Sequence, residues 1–175
     1  MTPQISIKCE NSPVITRPQG YPVSFYRIEV KNLGQRPIER CFAQIKQFGL
    51  VSKEDPGIIN NVSFVPKEGH DLPWSEISGG KFEHDLGAGE TAYIDYVKTL
   101  MHSSFFTVPT RSNTSDGKPA YNAFRIPAGN YDITISVGSK ADTIEPQTIR
   151  FRFNYNGRTA TVTKPSGTAN KDCIS

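Results

Sequence analysis

The chain has 175 residues, a formal net charge of +3 and an apolar fraction of 36%. That length suits one domain with a core that needs no staples. The small charge argues against a nucleic-acid binder, and no run of about 18 apolar residues is present to form a membrane-spanning helix. Met1-Thr2-Pro3-Gln4 runs at once into a strand pattern without a signal region. The default compartment is therefore cytoplasmic, or extracytoplasmic if a signal or anchor once preceded Ile5.

Period-two alternation recurs along the chain and helical periodicity is nearly absent. Ile5, Ile7 and Cys9 open a first strand, and residues 24–31 form a second with Tyr26, Ile28 and Val30 on one face. Asn32-Leu33-Gly34-Gln35 supplies a turn. Residues 41–48 follow with Cys41, Ala43 and Ile45 together. Prolines and glycines interrupt residues 49–80, where short strands are expected near 62–65 and 72–77. The strand over residues 91–100 has an ambiguous period, since Ala92/Ile94/Tyr96 and Tyr93/Val97 both qualify as its inner face. Residues 101–125 read as a long polar connection. Residues 130–137 and 148–155 alternate most cleanly, placing Tyr131, Ile133, Ile135 and Val137 opposite Ile149, Phe151, Phe153 and Tyr155. Asn156-Gly157 then signals a hairpin to an edge strand over residues 159–163. The expected architecture is an all-β, immunoglobulin-like antiparallel sandwich of about seven to eight strands. It occupies residues 1–164, carries two long loop insertions, and is followed by a disordered tail over 165–175.

Three pieces stand in a suggestive order: Val30-Lys31-Asn32-Leu33-Gly34, Leu86-Gly87-Ala88-Gly89-Glu90 and Gly129-Asn130-Tyr131-Asp132-Ile133. Each is a strand–turn junction, and together they span most of residues 24–155. In this order they resemble the immunoglobulin-like modules of prokaryotic surface and membrane-tethered proteins, the CARDB-type adhesion-related domains in particular. The gaps between the pieces are longer than a compact module of that kind needs. The resemblance implies binding or scaffolding and carries over no catalytic residues.

Cys9 and Cys41, both on inward faces, are placed either to form a disulfide worth roughly 3 kcal/mol or to act as two buried thiols. Cys173, in the tail, is expected to be an exposed thiol. His70-Asp71 and His84-Asp85 could ligate a divalent metal if their segments converged, with His102 further along; polar loop residues without a shared site are the plainer alternative. No Gly-x-Ser-x-Gly elbow is present, and Gly79-Gly80-Lys81 lacks the rest of a phosphate loop, so neither an enzyme nor a cofactor is expected. Arg27, Lys31, Arg150 and Arg152 fall on outward faces as solubilising charges or a modest basic stripe. Asn61-Val62-Ser63 and Asn113-Thr114-Ser115 match the glycosylation pattern.

A non-enzymatic interaction module remains, with Trp74, Phe105, Phe106 and Arg111 as its partner-contact residues. Trp74 is either a structural plug or an exposed platform, and the 101–125 connection supplies the other three. The partner is expected to be another protein. The alternatives are a metal- or small-ligand-binding domain using His70 and His84, and a self-assembling surface or phage-particle domain.

Overall fold

The computed structural model describes residues 4–10, 13–16, 20, 22–75, 80–100, 103–113 and 115–165. These residues form an all-β, antiparallel fold with no α-helix. Its strands are β1 (Ile5–Cys9), β2 (Val14–Thr16), β3 (Val23–Asn32), β4 (Ile38–Val51), β5 (Ile59–Asn60), β6 (Asp71–Leu72), β7 (His84–Leu86), β8 (Thr91–Leu100), β9 (Phe105–Asn113), β10 (Pro119–Pro127), β11 (Gly129–Ser139), β12 (Gln147–Tyr155) and β13 (Ala160–Thr163). No helix among them is long and apolar enough to cross a membrane.

The strand order is β1-β3-β8-β9-β6-β4-β11-β12-β13, with β10 added to β9, β2 to β3, and β5 and β7 to β4. Thirteen strands replace the seven to eight expected: β9 and β10 lie where a polar connection was expected, and β2, β5, β6 and β7 are two- or three-residue pieces. Segments so short carry no readable period. The sheet curls until its two ends face each other. Tyr26 on β3 meets Phe153 on β12 at 5.1 Å between ring centroids, and Tyr96 on β8 meets Phe151 at 5.0 Å. Those strands stand far apart in the pairing order, so the contacts form across the core.

Alternation gives the expected inner faces for β11 and β12: Tyr131, Ile133, Ile135, Val137, Phe151 and Phe153 are all fully buried. In β8 both faces contribute, which resolves the ambiguous period. The register against β3 slips between Tyr26 and Arg27, so Tyr96 is an extra residue. Ala92, Ile94 and Tyr96 point inward before the bulge and Val97 after it. A similar slip in β4, opposite Thr134 and Ile135, lets Cys41, Ala43, Ile45 and then Phe48 all reach the core.

The first two sequence pieces meet in space. Asn32, fully buried at the end of β3, donates from Nδ2 to the Arg36 and Leu86 carbonyls at 2.7 and 3.1 Å. Its Oδ1 accepts the Gly34 amide at 2.9 Å, and its backbone amide donates to the Glu90 carbonyl at 3.0 Å. One side chain thus satisfies two turns that would otherwise leave buried polar groups unpaired.

The Cys9–Cys41 bridge does not form. Cys41 carries a free, buried thiol whose Sγ lies 3.5 Å from the Ile38 carbonyl, and burial pushes its pKa up to about 11. Cys9 is disulfide-bonded, but not to Cys41. The reason is topological: Cys9 pairs with Ile28 of β3, whereas Cys41 pairs with Ser139 of β11 and His84 of β7. Cys173 and the tail from 166 onward lie outside the described residues.

Replacing Asn32 with alanine should cost about 2–4 kcal/mol, because three hydrogen bonds are lost and buried carbonyls are left unpaired. Leu33→Ala next to it, at an exposed position, should stay within about 0.5 kcal/mol. Urea unfolding of both variants measures the difference as a shift in midpoint at constant slope.

Candidate functional site: the face of the β9–β10 hairpin

Residues 105–127 are not a loop; they form a hairpin paired from Phe105↔Pro127 to Asn113↔Pro119. Its inner side is core: Phe106, Val108 and Ile126 are fully buried and Thr110 is 1% exposed. Phe106 packs edge-on against Tyr131, Phe153 and Tyr155 at 5.1–5.6 Å. The Tyr155 hydroxyl donates to the Ser103 carbonyl at the hairpin's base. The missed signal is Asp116-Gly117 between two alternating runs, with Gly117 at φ 80°.

The outer side carries the exposed groups. Phe105, Pro109 and Arg111 on β9 stand opposite Pro127, Ala123 and Tyr121 on β10. Tyr121 is 67% exposed and stacks on Phe82 at 5.6 Å. The Arg111 guanidinium lies over the same Phe82 ring at 4.9 Å, and Arg125 covers Phe105 at 5.2 Å. Among the described residues the buried Nε of Arg111 meets no hydrogen-bond acceptor, and the electron-rich face of Phe82 adds to the ion pairs of this cation. Gly80, Lys81, Phe82, Glu83, Arg111 and Tyr121 enclose a recess of about 390 Å³.

Behind the recess is an ion network. Arg111 Nη2 lies 3.1 Å from Asp71 and 3.6 Å from Glu83; Lys140 Nζ lies 3.3 Å from Glu83 and 3.9 Å from Asp71. Arg40 Nε donates to Glu83 at 2.8 Å. Arg40 sits at a bulge with φ 51°, held by its amide bond to Asp85 and by the Lys140 amide on its carbonyl. A non-glycine residue held in that region costs about 1–3 kcal/mol, a cost the surroundings must offset. The Arg40 hydrogen bond, opposed by partial burial and reinforced by Lys140, holds the Glu83 carboxyl below its ordinary pKa.

The other expected site residues do not join this face. Trp74 is 1% exposed and donates from Nε1 to the Cys41 carbonyl at 3.1 Å, which makes it a plug and not a platform. Phe106 is likewise core, so of the four expected contact residues only Phe105 and Arg111 reach the hairpin face. His70 packs on Phe124 at 5.6 Å, its pKa lowered by burial. His84 stacks on Trp74 at 5.2 Å and meets Glu90 at 3.2 Å. Asp71 serves Arg111, and Asp85 serves the Arg40 amide. Among the described residues no three His, Cys, Asp or Glu side chains gather where a metal could bind. His102 lies outside the described residues. Three arginines of the expected basic stripe are held in ion pairs: Arg150 and Arg152 share the fully buried Asp132, and Arg27 pairs with Asp95 at 2.8 Å.

Glu83 gives the network a pH signature. Its folded-state pKa lies below its unfolded value, so the stability it contributes is fully present above the unfolded pKa, about 4.3. That stability is lost as pH falls through the depressed folded value. The melting-temperature gap between the wild type and Glu83→Gln should hold steady from neutral pH down to about pH 5 and then close. Thermal melts across that range measure it.

In comparison with known proteins, no family model matches the chain and no curated protein matches it.

Proposed function

We propose that this chain is a non-enzymatic interaction module that captures an extended, acidic segment of another protein along β10. The observation that carries the reading is Tyr121, two-thirds exposed on a strand that among the described residues pairs with β9 alone, and packed against Phe82. A strand with one open edge offers backbone hydrogen bonds to an incoming strand, and alternate side chains give it specificity. Natural edges of this length are normally blunted; here Pro119 and Pro127 stand only at the ends. Lys81 beside the Phe82–Tyr121 pair and Arg125 over Phe105 favour an acidic partner, with Phe105 and Tyr121 as apolar anchors.

We also propose that the curled sheet is an immunoglobulin-like sandwich of the CARDB-type kind. The meeting of the Asn32 and Glu90 turns supports this. So does Tyr131, whose hydroxyl donates to the Pro127 carbonyl four residues upstream at 2.8 Å. That contact resembles the tyrosine corner of such sandwiches.

Selection from a displayed library of random peptides tests the binding reading. Acidic peptides able to extend should be enriched, their affinity should fall with added salt, and Tyr121→Ala should weaken them about tenfold or more. Failure to enrich any peptide, or affinity indifferent to both Tyr121→Ala and Arg125→Glu, would sink the proposal. Concentration-dependent self-association lost in the same variants would replace the foreign segment with a second copy of the chain.

A further inference from the structure

A second concavity lies at the other end of β4 from Arg40, and its chemistry differs from that of the hairpin recess. It is a cleft of about 800 Å³, within the usual range for ligand sites. The end of β4 and the turn after it form one wall, and the start of β11, with Asn154 of β12, forms the other.

Both walls are held firmly. Gly49 leaves no room for a side chain, since a Cβ there would stand 2.3 Å from Ile59 Cγ2, and this close approach lays β5 and Asn60 against β4. The turn is tied internally, with Ser52 Oγ accepting the Glu54 and Asp55 amides. It is tied externally by Arg152, which donates to the Pro56 carbonyl at 2.6 Å and is itself anchored by Asp132. On the facing wall a Cβ at Gly129 would press on the Tyr131 ring and Leu50 at 3.2–3.3 Å.

Three asparagines, Asn60, Asn130 and Asn154, line this cleft. A primary amide offers two donors and an acceptor with two lone pairs, yet none of the three side chains hydrogen-bonds within the described residues, and Asn130 Oδ1 is buried without a partner. The lining charges, Lys53 and Glu54, cancel, so the cleft selects neither an anion nor a cation. Phe64 is 36% exposed beside it and supplies an apolar ring. Neutral groups that both donate and accept, set beside an aromatic face, match a ligand with hydroxyls along its edge and C–H groups on its flat side.

We propose that this cleft binds a neutral carbohydrate chain, with the Asn60, Asn130 and Asn154 amides on its hydroxyls and Phe64 against a sugar ring. This site is independent of the hairpin face, and either can fail without the other.

The test is titration of the protein with neutral glucan, xylan, mannan and chitin hexasaccharides, read by calorimetry and by amide chemical-shift mapping. One series should bind, with shifts centred on residues 52–64 and 128–131. Phe64→Ala and Asn154→Ala should each weaken it about tenfold with the melting temperature kept. Both positions are at the surface, so a folding failure is not expected; the spectrum of each variant checks this directly. No binding by any series at millimolar sugar would overturn the proposal. So would shifts centred on the hairpin, or affinity unchanged by both substitutions.

Discussion

The packing of Phe106 against Tyr131, Phe153 and Tyr155 is the contact on which the rest of this molecule depends. Backbone pairing is thinnest where Phe106 sits. β9 shares two residue pairs with β8 and one with β6, yet the whole strand path from β3 to β11 runs through it. A ladder that short cannot hold two halves of a sheet together. Edge-to-face aromatic pairs, each worth about 0.5–1.5 kcal/mol beyond their burial, take over the task. The Asp71–Arg111 ion pair, placed at the single β6–β9 pairing, closes the other end of the gap. The same packing seats the inner side of the hairpin in the core, so β9 and β10 are paired strands and not a loop.

Charge is distributed with similar economy. On the outer surface of the curled sheet the arginines are consumed by buried carboxylates: Asp132 serves Arg150 and Arg152, and Asp95 serves Arg27. These pairs fasten neighbouring strands. Around the hairpin recess Arg40, Arg111 and Lys140 likewise share two carboxylates, Asp71 and Glu83, beside Phe82 and Tyr121. The far end of β4 differs: its lining charges are Lys53 and Glu54, and its three asparagine side chains make no hydrogen bond among the described residues. Two surfaces of different chemistry thus sit at the two ends of one long strand, each placed by an irregularity or a close approach in that strand: the bulge at Arg40 and the missing side chain at Gly49.

Much of the strand pattern was legible in the sequence, because alternation is a local property. β3, β11 and β12 could be read directly from which residues alternate, and the turn at Asn156-Gly157 from its residue types. Other elements were hidden for identifiable reasons. Adjacent phenylalanines at 105 and 106 break the apparent alternation of β9, and Pro109 within it reads as a breaker, although it falls where the strand tolerates it. β8 and β4 hold bulges, which shift the inward parity midway and make a strict period fail. Phe105 and Arg111 read as residues of a polar connection, and their place on a strand face beside Tyr121 was hidden. The convergence of Phe82, Glu83, Lys140 and Arg40 on Arg111 was hidden too, because nothing in their local sequence shows that separate segments meet.

The sequence by itself determined that this is an antiparallel all-β protein, which faces of several principal strands are apolar, and that residues 32–35, residues 87–90 and Asn156-Gly157 are turns. These follow from side-chain alternation and backbone preference, which act over a few residues. Only the tertiary structure decided that Cys41 stays a free thiol, that Trp74 and Phe106 are core, that the two His-Asp pairs serve different partners, and that Arg27, Arg150 and Arg152 are held in ion pairs. Each of those outcomes depends on which strand lies beside which. That choice is made by packing between residues tens of positions apart, and a one-dimensional pattern carries no term for it.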